Sequence, residues 1–335
     1  MKLNINEKIP KVYILILNWN GWKDTLSCLE SIFNCTYSNF QILIIDNAST
    51  DDSLQLIEKW FKDQKQLYLK IIDEVQALKQ EESIPIQESY NKQRITIIQN
   101  NHNYGYAGGN NIGIKYVLKR NDASYIWLLN NDTTIDAAAL TSLVNLAESN
   151  PEIGVVGSKL LYLNRPDIIQ TLGGGQFNPV FGMVCQIGNG LLKNDASKFN
   201  KIRFDYITGA SFFIKVNTIE EVGMLQEDYF MYSEDIDWSL RIKRAGWELV
   251  YCPDSVIWHK EGASAGYQSP MTDYYSSRNN LYIVKRFFAF YLPVAVMISF
   301  WGKMFNRIVR GQPRNIICIL RAYRDFFCGK QGELN

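Results

Sequence analysis

The chain has 335 residues, 47% of them hydrophobic, and a formal net charge of +1, so it is long enough for a substantial core and shows no overall basic excess pointing to nucleic acid. Its six cysteines are scattered without a C-x-x-C pair, which argues for reduced thiols in a cytosolic protein and against a disulfide frame or a zinc knuckle. The opening "MKLNINEKIPKVYILIL" has a short apolar run and no small-residue cleavage site, so no signal peptide is expected.

In chain order, "VYILIL", "QILIID", "ITIIQ" and "YIWLLN" are short, apolar and rich in β-branched residues, as buried strands are. Between them lie the helical patterns "WKDTLSCLESIF", "DDSLQLIEKWF" and "GGNNIGIKYVLKR". This alternation predicts an α/β fold with a mainly parallel sheet flanked by helices. Residues 62–94 are charged, Gln-rich and without a period, and read as a surface excursion. A helix is expected over about 135–149, then the strand "IGVVGSKLLY", then a loop or hairpin in "LGGGQFNPVFG", and one further strand in "YITGASFFIK". A helix opening in "YFMYSEDIDWSLR" closes at Ala245-Gly246, "ELVYCPDSVIWH" supplies a strand ending at His259, and a long helix spans about 272–290.

Four of these strands end in polar, turn-forming residues: Asn18 to Asn20, "DNASTDD" from Asp46, "QNNHNYGYAGGNN", and "NND" at 130–132. In open α/β sheets the ligand lies beyond the carboxyl ends of the strands, so four such ends together suggest one shared site. Helix capping by Ser49 or Thr50, with Asp51 and Asp52 in the first turn, accounts for most of "DNASTDD". It leaves Asp46, at a strand end where a carboxylate can accept the imide N–H of a uracil or thymine. The run Gly105, Gly108, Gly109 before a helix suits close approach to a phosphate, but it follows the third strand and is no dinucleotide fingerprint. Asp132 suits Mg²⁺ or Mn²⁺ bridging substrate phosphates, or else caps a helix; His259, one of two histidines, is either structural or a metal contact. In the segment around Glu234, Asp235 and Asp237, Ser233 can cap, the acids suit the first helical turn, and Asp237 can pair with Arg241; the same geometry also serves a catalytic base.

The ordered set "ILNWNG", "IIDNASTDDS", "NNHNYGYAGGNNIG", "LLNNDT", "TGASFFIK", "YSEDIDWSLRIKRAG" and "WHKEGAS", spanning about residues 11–265, resembles glycosyltransferase family 2, inverting nucleotide-sugar enzymes of GT-A fold. Within the family it is most similar to the bacterial rhamnosyltransferase-like branch, which builds cell-surface polysaccharides. The resemblance implies a Rossmann-like GT-A domain over 1–265 and a helical appendage over 266–335. It implies that Asp46 reads the nucleotide base with Asn18 and Asn20 nearby. Asn103, Gly105, Ala107, Asn111 and Asn130 are then expected to line the donor cleft. The resemblance further implies that Asp132 binds a divalent metal, Mg²⁺ or Mn²⁺, with His259 as a second contact as in some relatives, and that Asp235 is the catalytic base, flanked by Glu234. The family's D-x-D motif stands here as N-x-D, Asn130 to Asp132, leaving one carboxylate. The implied donor is dTDP-L-rhamnose, with a UDP-hexose donor or a non-catalytic glycan-binding scaffold as alternatives. The acceptor is a growing polysaccharide or lipid-linked glycan.

Charge is uneven along the chain: from Lys285 onward nine Lys/Arg stand against two Asp/Glu. The uncharged stretch "FFAFYLPVAVMISFW" lies in the same region and is shorter than the roughly 20 apolar residues a spanning helix needs. Apolar residues beside Lys285, Arg286, Lys303, Arg307, Arg310 and Arg314 suit a segment lying on an anionic membrane surface, and the alternative is a buried helix with a basic outer face. The expectation is a cytoplasmic protein held peripherally at the inner membrane face, with no nucleic-acid partner.

Overall fold

The structure, a computed structural model, describes residues 9–63, 68–78, 94–199, 203–260 and 269–334. The first half runs β1 (Val12–Asn18), α1 (Trp22–Phe33), β2 (Phe40–Asp46), α2 (Ser53–Asp63), β3 (Tyr68–Asp73), α3 (Glu74–Leu78), β4 (Arg94–Gln99), α4 (Gly105–Arg120), β5 (Tyr125–Asn130), β6 (Thr133–Ile135) and α5 (Ala139–Ser149). The second half runs β7 (Ile153–Tyr162), β8 (Arg165–Leu172), β9 (Gly174–Asn178), β10 (Met183–Gln186), β11 (Tyr206–Ile207), β12 (Ser211–Lys215), α6 (Val216–Val222), α7 (Glu234–Arg244), β13 (Glu248–His259), α8 (Pro270–Phe287), α9 (Leu292–Val309) and α10 (Pro313–Phe327).

The main sheet has the order β3-β4-β2-β1-β5-β12-β7-β13-β6, with β8 paired to β7. Its first five strands are parallel, β12 is antiparallel to both neighbours, and β13 returns parallel to β7. The expected mainly parallel sheet between helices is therefore present. The two-residue period of β1 explains the layering. Ile14 and Ile16 enter the core under α1, α2 and α5, while Tyr13 and Leu15 enter the core under α4 and α7. A strand buried on both faces reads as an unbroken apolar run, as "VYILIL" does.

Three expectations change. The excursion over 62–94 contains β3, which adds a parallel edge to β4, and α3; residues 64–67 and 79–93 lie outside the described residues. A single six-residue strand without alternation was too short to stand out there. Residues 133–135 do not begin a helix: they form β6 against the end of β13, and Asp136 accepts the backbone N–H of Ala138 before α5 starts at Ala139. "YITGASFFIK" is two strands, β11 in a small sheet with β9 and β10, and β12 in the main sheet, broken by a turn at Thr208-Gly209-Ala210. The glycine-rich hairpin expected over 172–182 is β9 paired with β10.

α8, α9 and α10 do not form a core of their own. Leu281, Val284, Ala295, Ile319 and Phe326 pack with Ile236 and Leu240 of α7 and with Phe177 and Tyr206 of the small sheet. α8 starts cleanly: Ser269 caps it by accepting the N–H of Thr272, and Pro270 follows at the first helical position.

Candidate active site

The parallel register brings the polar strand ends together. Asn18 sits opposite Asp46, Leu17 opposite Asn130, and Thr133 opposite His259. Asp46 is 2% exposed, and its carboxylate accepts from Asn18 Nδ2 at 2.9 Å, Ser49 Oγ at 2.6 Å and the Ser49 N–H at 3.2 Å. An ionised carboxylate has about four acceptor positions, so one remains for a ligand donor. Asn18 is fully buried and fixed in turn by Thr25 Oγ1, so its part is to orient Asp46. Asn20, at φ 52, accepts the N–H groups of Thr50 and Asp51 and pins the loop that the sequence assigned to capping. Asp51, just before α2, accepts the Ser53 N–H, and Ser49 serves Asp46.

The glycine run packs tightly against other parts of the chain. Gly105 (φ +68) lies so close to Phe230 that an added Cβ would stand 2.2 Å from its carbonyl oxygen. A Cβ on Gly109 would stand 2.5 Å from Leu17, and one on Gly113 2.9 Å from Leu15, so these glycines let α4 lie close on β1 and β2. Two of the residues expected to line the cleft have buried side chains. The Ala107 side chain is fully buried in the core under α4. Asn111 is buried, its amide spent on the backbone of Leu225 and on Glu227 Oε1. Asn103 does stand at the start of α4, where its Oδ1 accepts from the Gly105 N–H and from Asn47 Nδ2. Asn47 escaped the sequence reading, although it adjoins Asp46. Its side chain joins the end of β2 to Asn100, Asn103, Tyr104 and Gly105.

Asn130 ends β5, donating its N–H to Ala210. Two residues on, Asp132 Oδ1 lies 3.1 Å from His259 Nε2, and both groups are nearly buried. His259 Nδ1 lies 2.8 Å from Gln170 Oε1, which fixes the ring so that Nε2 faces the carboxylate. A cation held by the carboxylate and by unprotonated Nε2 would take the place of a proton between them. Adjacent ligands on an octahedral ion with bonds of about 2.0–2.1 Å are about 3 Å apart, so the pair fits two corners of an Mg²⁺ or Mn²⁺ sphere. Among the described residues no group of three or more His, Cys, Asp or Glu could hold a metal, so the remaining corners would fall to ligand oxygens and water. Burial alone would raise Asp132, but His259 and Lys260 outweigh it and hold the carboxyl below its usual range.

Glu234 and Asp235 open α7. Asp235 Oδ2 accepts the N–H of Gly209 at 2.9 Å, and Oδ1 accepts that of Ile236. Gly209 belongs to the turn that breaks "YITGASFFIK", and Ala210 beside it reaches Asn130, so the acid pair and the metal-type pair share one edge of the sheet. Tyr106 Oη closes the turn from α4 by donating to the Gly209 carbonyl. Burial, and for Glu234 also the charge of Asp235, pushes both carboxyls above the usual range. The two are coupled, and their environments separate them. Asp235 has two N–H donors that favour the anion, whereas Glu234 Oε2 is buried with no partner. Asp235 therefore ionises first and Glu234 retains its proton longer. Asp237 is structural, as expected: it is fully buried and takes Arg241 Nε at 2.7 Å, with Arg286 Nη1 as a second, unforeseen partner at 2.7 Å.

A stability consequence follows from Glu234. Its folded-state carboxyl holds a proton to higher pH than the unfolded one, so native stability falls as pH rises from about 4.5 through the raised value. Glu234→Gln removes that loss. Its Tm is expected to match wild type near pH 4.5 and to exceed it by about 1–3 °C at pH 8, since about 1 kcal/mol moves the Tm of a chain this size by that much. Thermal scans across that range check this, and an advantage that shrinks with rising pH would contradict it.

The loop before α7 is strained. Phe230 (φ 64, ψ −60) centres a γ-turn of the rare positive-φ kind, closed by the Met231 N–H on the Tyr229 carbonyl at 2.8 Å; Tyr232 (φ 65) and Ser233 (φ 75) follow in the left-handed region. Non-glycine residues in such conformations cost about 1–3 kcal/mol each and persist only where surrounding contacts fix them. Ser233 occupies the cap position but makes no side-chain cap bond; its hydroxyl donates to Asn280 Oδ1 at 2.8 Å.

Two family models match the chain: Glycosyl transferase family 2 over residues 13–172, and Glycosyl transferase family group 2 over residues 125–309, more than half of the sequence. The low-salt glycan biosynthesis hexosyltransferase Agl10 of Haloferax volcanii is 24% identical over 80% of this chain and 88% of its own. An uncharacterized protein of Sinorhizobium fredii is 25% identical over 78% of this chain, which spans only 26% of that protein's length. The rhamnosyltransferase WbbL of Escherichia coli is 25% identical over 45% of this chain and 58% of its own. Two solved structures share the fold: a mannosyltransferase of Pyrobaculum calidifontis in complex with GDP-Man and Mn²⁺ (TM-score 0.57, 12% identity, 96% of this chain and 88% of that one), and S. aureus TarS in complex with UDP-GlcNAc (TM-score 0.55, 15% identity, 94% and 80%).

Proposed function

The chain belongs to glycosyl transferase family 2, and on that premise we propose that it is an inverting transferase moving a hexosyl unit from a nucleotide sugar to a growing surface polysaccharide or lipid-linked glycan. The observation that carries this reading is the placing of Asp235, on two backbone N–H groups, at the same sheet edge as Asp46, Asn130 and the Asp132–His259 pair. Asp46 takes the base of the nucleotide, oriented by Asn18 and the Asn20-pinned loop. Asn103, the backbone of Gly105 and Asn130 border the donor. Asp235 accepts the proton of the acceptor hydroxyl as that oxygen attacks the anomeric carbon, and the nucleoside diphosphate departs from the opposite face. Glu234 keeps its proton beside it and limits the negative charge in the pocket. Asp132 and His259 are the residues to hold Mg²⁺ or Mn²⁺, which would stabilise the charge growing on the leaving diphosphate. Support for the metal also comes from the mannosyltransferase, crystallised with Mn²⁺.

L-rhamnose from dTDP-L-rhamnose is the donor we put first, because the rhamnosyltransferase WbbL matches the chain. UDP-linked glucose, galactose or N-acetylglucosamine stand second. Release of nucleoside diphosphate from a panel of these donors, with Mn²⁺ and membrane extract, separates them: turnover of dTDP-L-rhamnose alone is expected. Turnover of a UDP-sugar in its place moves the assignment to that sugar, and absence of binding by every donor leaves the non-catalytic scaffold.

We divide the chain functionally at residue 265, with the transferase before it and a membrane-facing appendage after it. No helix among the described residues is long and apolar enough to cross a membrane. The appendage nevertheless exposes Val294, Met297, Trp301 (69% exposed), Phe305 and Ile308 along one stripe of α9, while Ala295 and Ser299 pack inward. A helix apolar on its outer face as well as its inner one suits a lipid interface. Arg314 lies on the outer side of α10 with exposed Ile317, Leu320 and Phe327, and Arg321 and Arg324 there pair with Asp325; of the expected basic residues, Arg307 is buried against Asp273 and Lys303 donates to Ser277, so fewer charges than expected can favour anionic headgroups. Wild type is expected to sediment with vesicles of about 30% phosphatidylglycerol, and Trp301→Glu with Phe305→Glu to weaken this about ten-fold or more. Equal binding by the variant would contradict the membrane reading while leaving the transfer reading intact.

A further inference from the structure

We infer that the Arg278–Asn279–Asn280 run of α8 is a positioning device for the catalytic pair: it holds the left-handed 229–233 loop in the shape that presents Glu234 and Asp235 to the reacting groups. The inference rests on the proposed role of Asp235 and adds residues from the appendage to the machinery.

Asn279 is fully buried, and its Nδ2 faces the carbonyls of Tyr229 at 2.9 Å, Met231 at 2.8 Å and Tyr232 at 2.9 Å. One primary amide thus gathers three carbonyls that the γ-turn and the left-handed residues bring to a point. Its orientation is fixed, because Asn279 Oδ1 accepts from Arg278 Nε at 3.0 Å. Arg278 is itself fully buried against the rings of Tyr274 and Tyr275, and its Nη2 reaches the carbonyls of Tyr229 and Gly332. Asn280 finishes the hold: Oδ1 accepts from Ser233 Oγ, and Nδ2 donates to the Gly182 carbonyl. Three consecutive side chains therefore converge on four residues of the 229–233 loop.

The loop touches both sides of the site. The Phe230 carbonyl accepts the N–H of Tyr106 at 2.7 Å, at the start of α4 beside Asn103 and Gly105. Three residues later the Ser233 carbonyl accepts the N–H of Asp237 and starts the helix that carries the acids. A loop relaxed out of its left-handed shape moves the first turn of α7 against the Gly209 turn, and a misplacement of about 1 Å at a reacting group costs up to about 10²-fold in rate. Only a side chain with two N–H donors and one acceptor at this reach serves. Leucine fills the volume without the bonds, and aspartate would set oxygen against three carbonyls.

The test compares wild type, Asn279→Ala, Asn279→Leu, and Asn279→Ala combined with Tyr232→Gly, all as the full chain. Hydrogen exchange of the 229–237 segment is expected to speed up in both single variants while the β1–β5 strands stay protected. With a donor that wild type turns over, kcat is expected to fall about 10–100-fold with donor KM within about 3-fold, and the acid limb of the pH–rate profile to move. Glycine at 232 adopts positive φ without steric cost, so the double variant is expected to recover about half of the loss or more. A kcat within about two-fold of wild type overturns the inference, as does a loss that only follows the unfolded fraction and is not rescued at 232. Should wild type turn over no donor, the reading of the function fails separately, and unchanged exchange at 229–237 still overturns the positioning role.

Discussion

Asp235→Asn is expected to lower transfer by about 10³-fold or more while leaving donor binding within about 2-fold, at the upper part of the range for loss of a general base. The argument is geometric first. The carboxylate is partly open to the cleft, and backbone N–H groups of Gly209 and Ile236 hold it in one orientation. Asparagine keeps the size, but its amide cannot take the proton and one N–H donor faces its nitrogen. The pH dependence gives a second check. Burial raises the Asp235 carboxyl above the ordinary range, so the base loses activity as pH falls through that raised value. The wild-type rate should therefore climb with pH at a point above that of a free carboxylate, and the residual rate of Asp235→Asn should lack that limb. A variant that retains both rate and limb would remove Asp235 from the chemistry.

The second large effect belongs to Asp132. Asp132→Asn is expected to lower transfer about 10²–10³-fold and to raise the metal concentration needed for half activity, since the charge on the leaving diphosphate loses its main counterpart. His259→Ala should cost less, about 10–100-fold, because ligand oxygens and water can take its corner. With two protein donors and no third among the described residues, metal alone should bind weakly and bind tightly with nucleoside diphosphate. Calorimetry of Mn²⁺ with and without nucleotide reads this directly. Equal affinity in both conditions, or full activity of wild type in chelator, would contradict a metal held by Asp132 and His259.

Much of this was legible in the sequence because it rests on local pattern. Buried parallel strands give unbroken apolar runs, and their polar ends mark the carboxyl edge of the sheet, which is how Asp46 and Asp132 stood out; Asp235 stood out as one of three acids crowded into a single aromatic segment. What was not legible depends on pairing across long separations. β6 is a strand only because the end of β13 lies against it, and β3 only because β4 does. The glycines of α4 suggested a phosphate cradle, whereas Gly105 and Gly109 are small because Phe230 and Leu17 stand against them. Asn111 and Asn279 illustrate the same limit in opposite directions: one expected site residue is spent on the backbone of Leu225, and one unremarked asparagine bonds the loop before Glu234 and Asp235. Positive φ at Phe230, Tyr232 and Ser233 leaves no trace in residue type, since none of them is glycine or asparagine.

The most direct test of the account is a proton NMR time course of the protein with its donor, acceptor and Mg²⁺, following the anomeric signals. The account predicts loss of the donor signal and growth of a product signal of opposite anomeric configuration, from direct attack by an oxygen activated at Asp235. A product that retains the donor's configuration would contradict the single-base mechanism built on that residue.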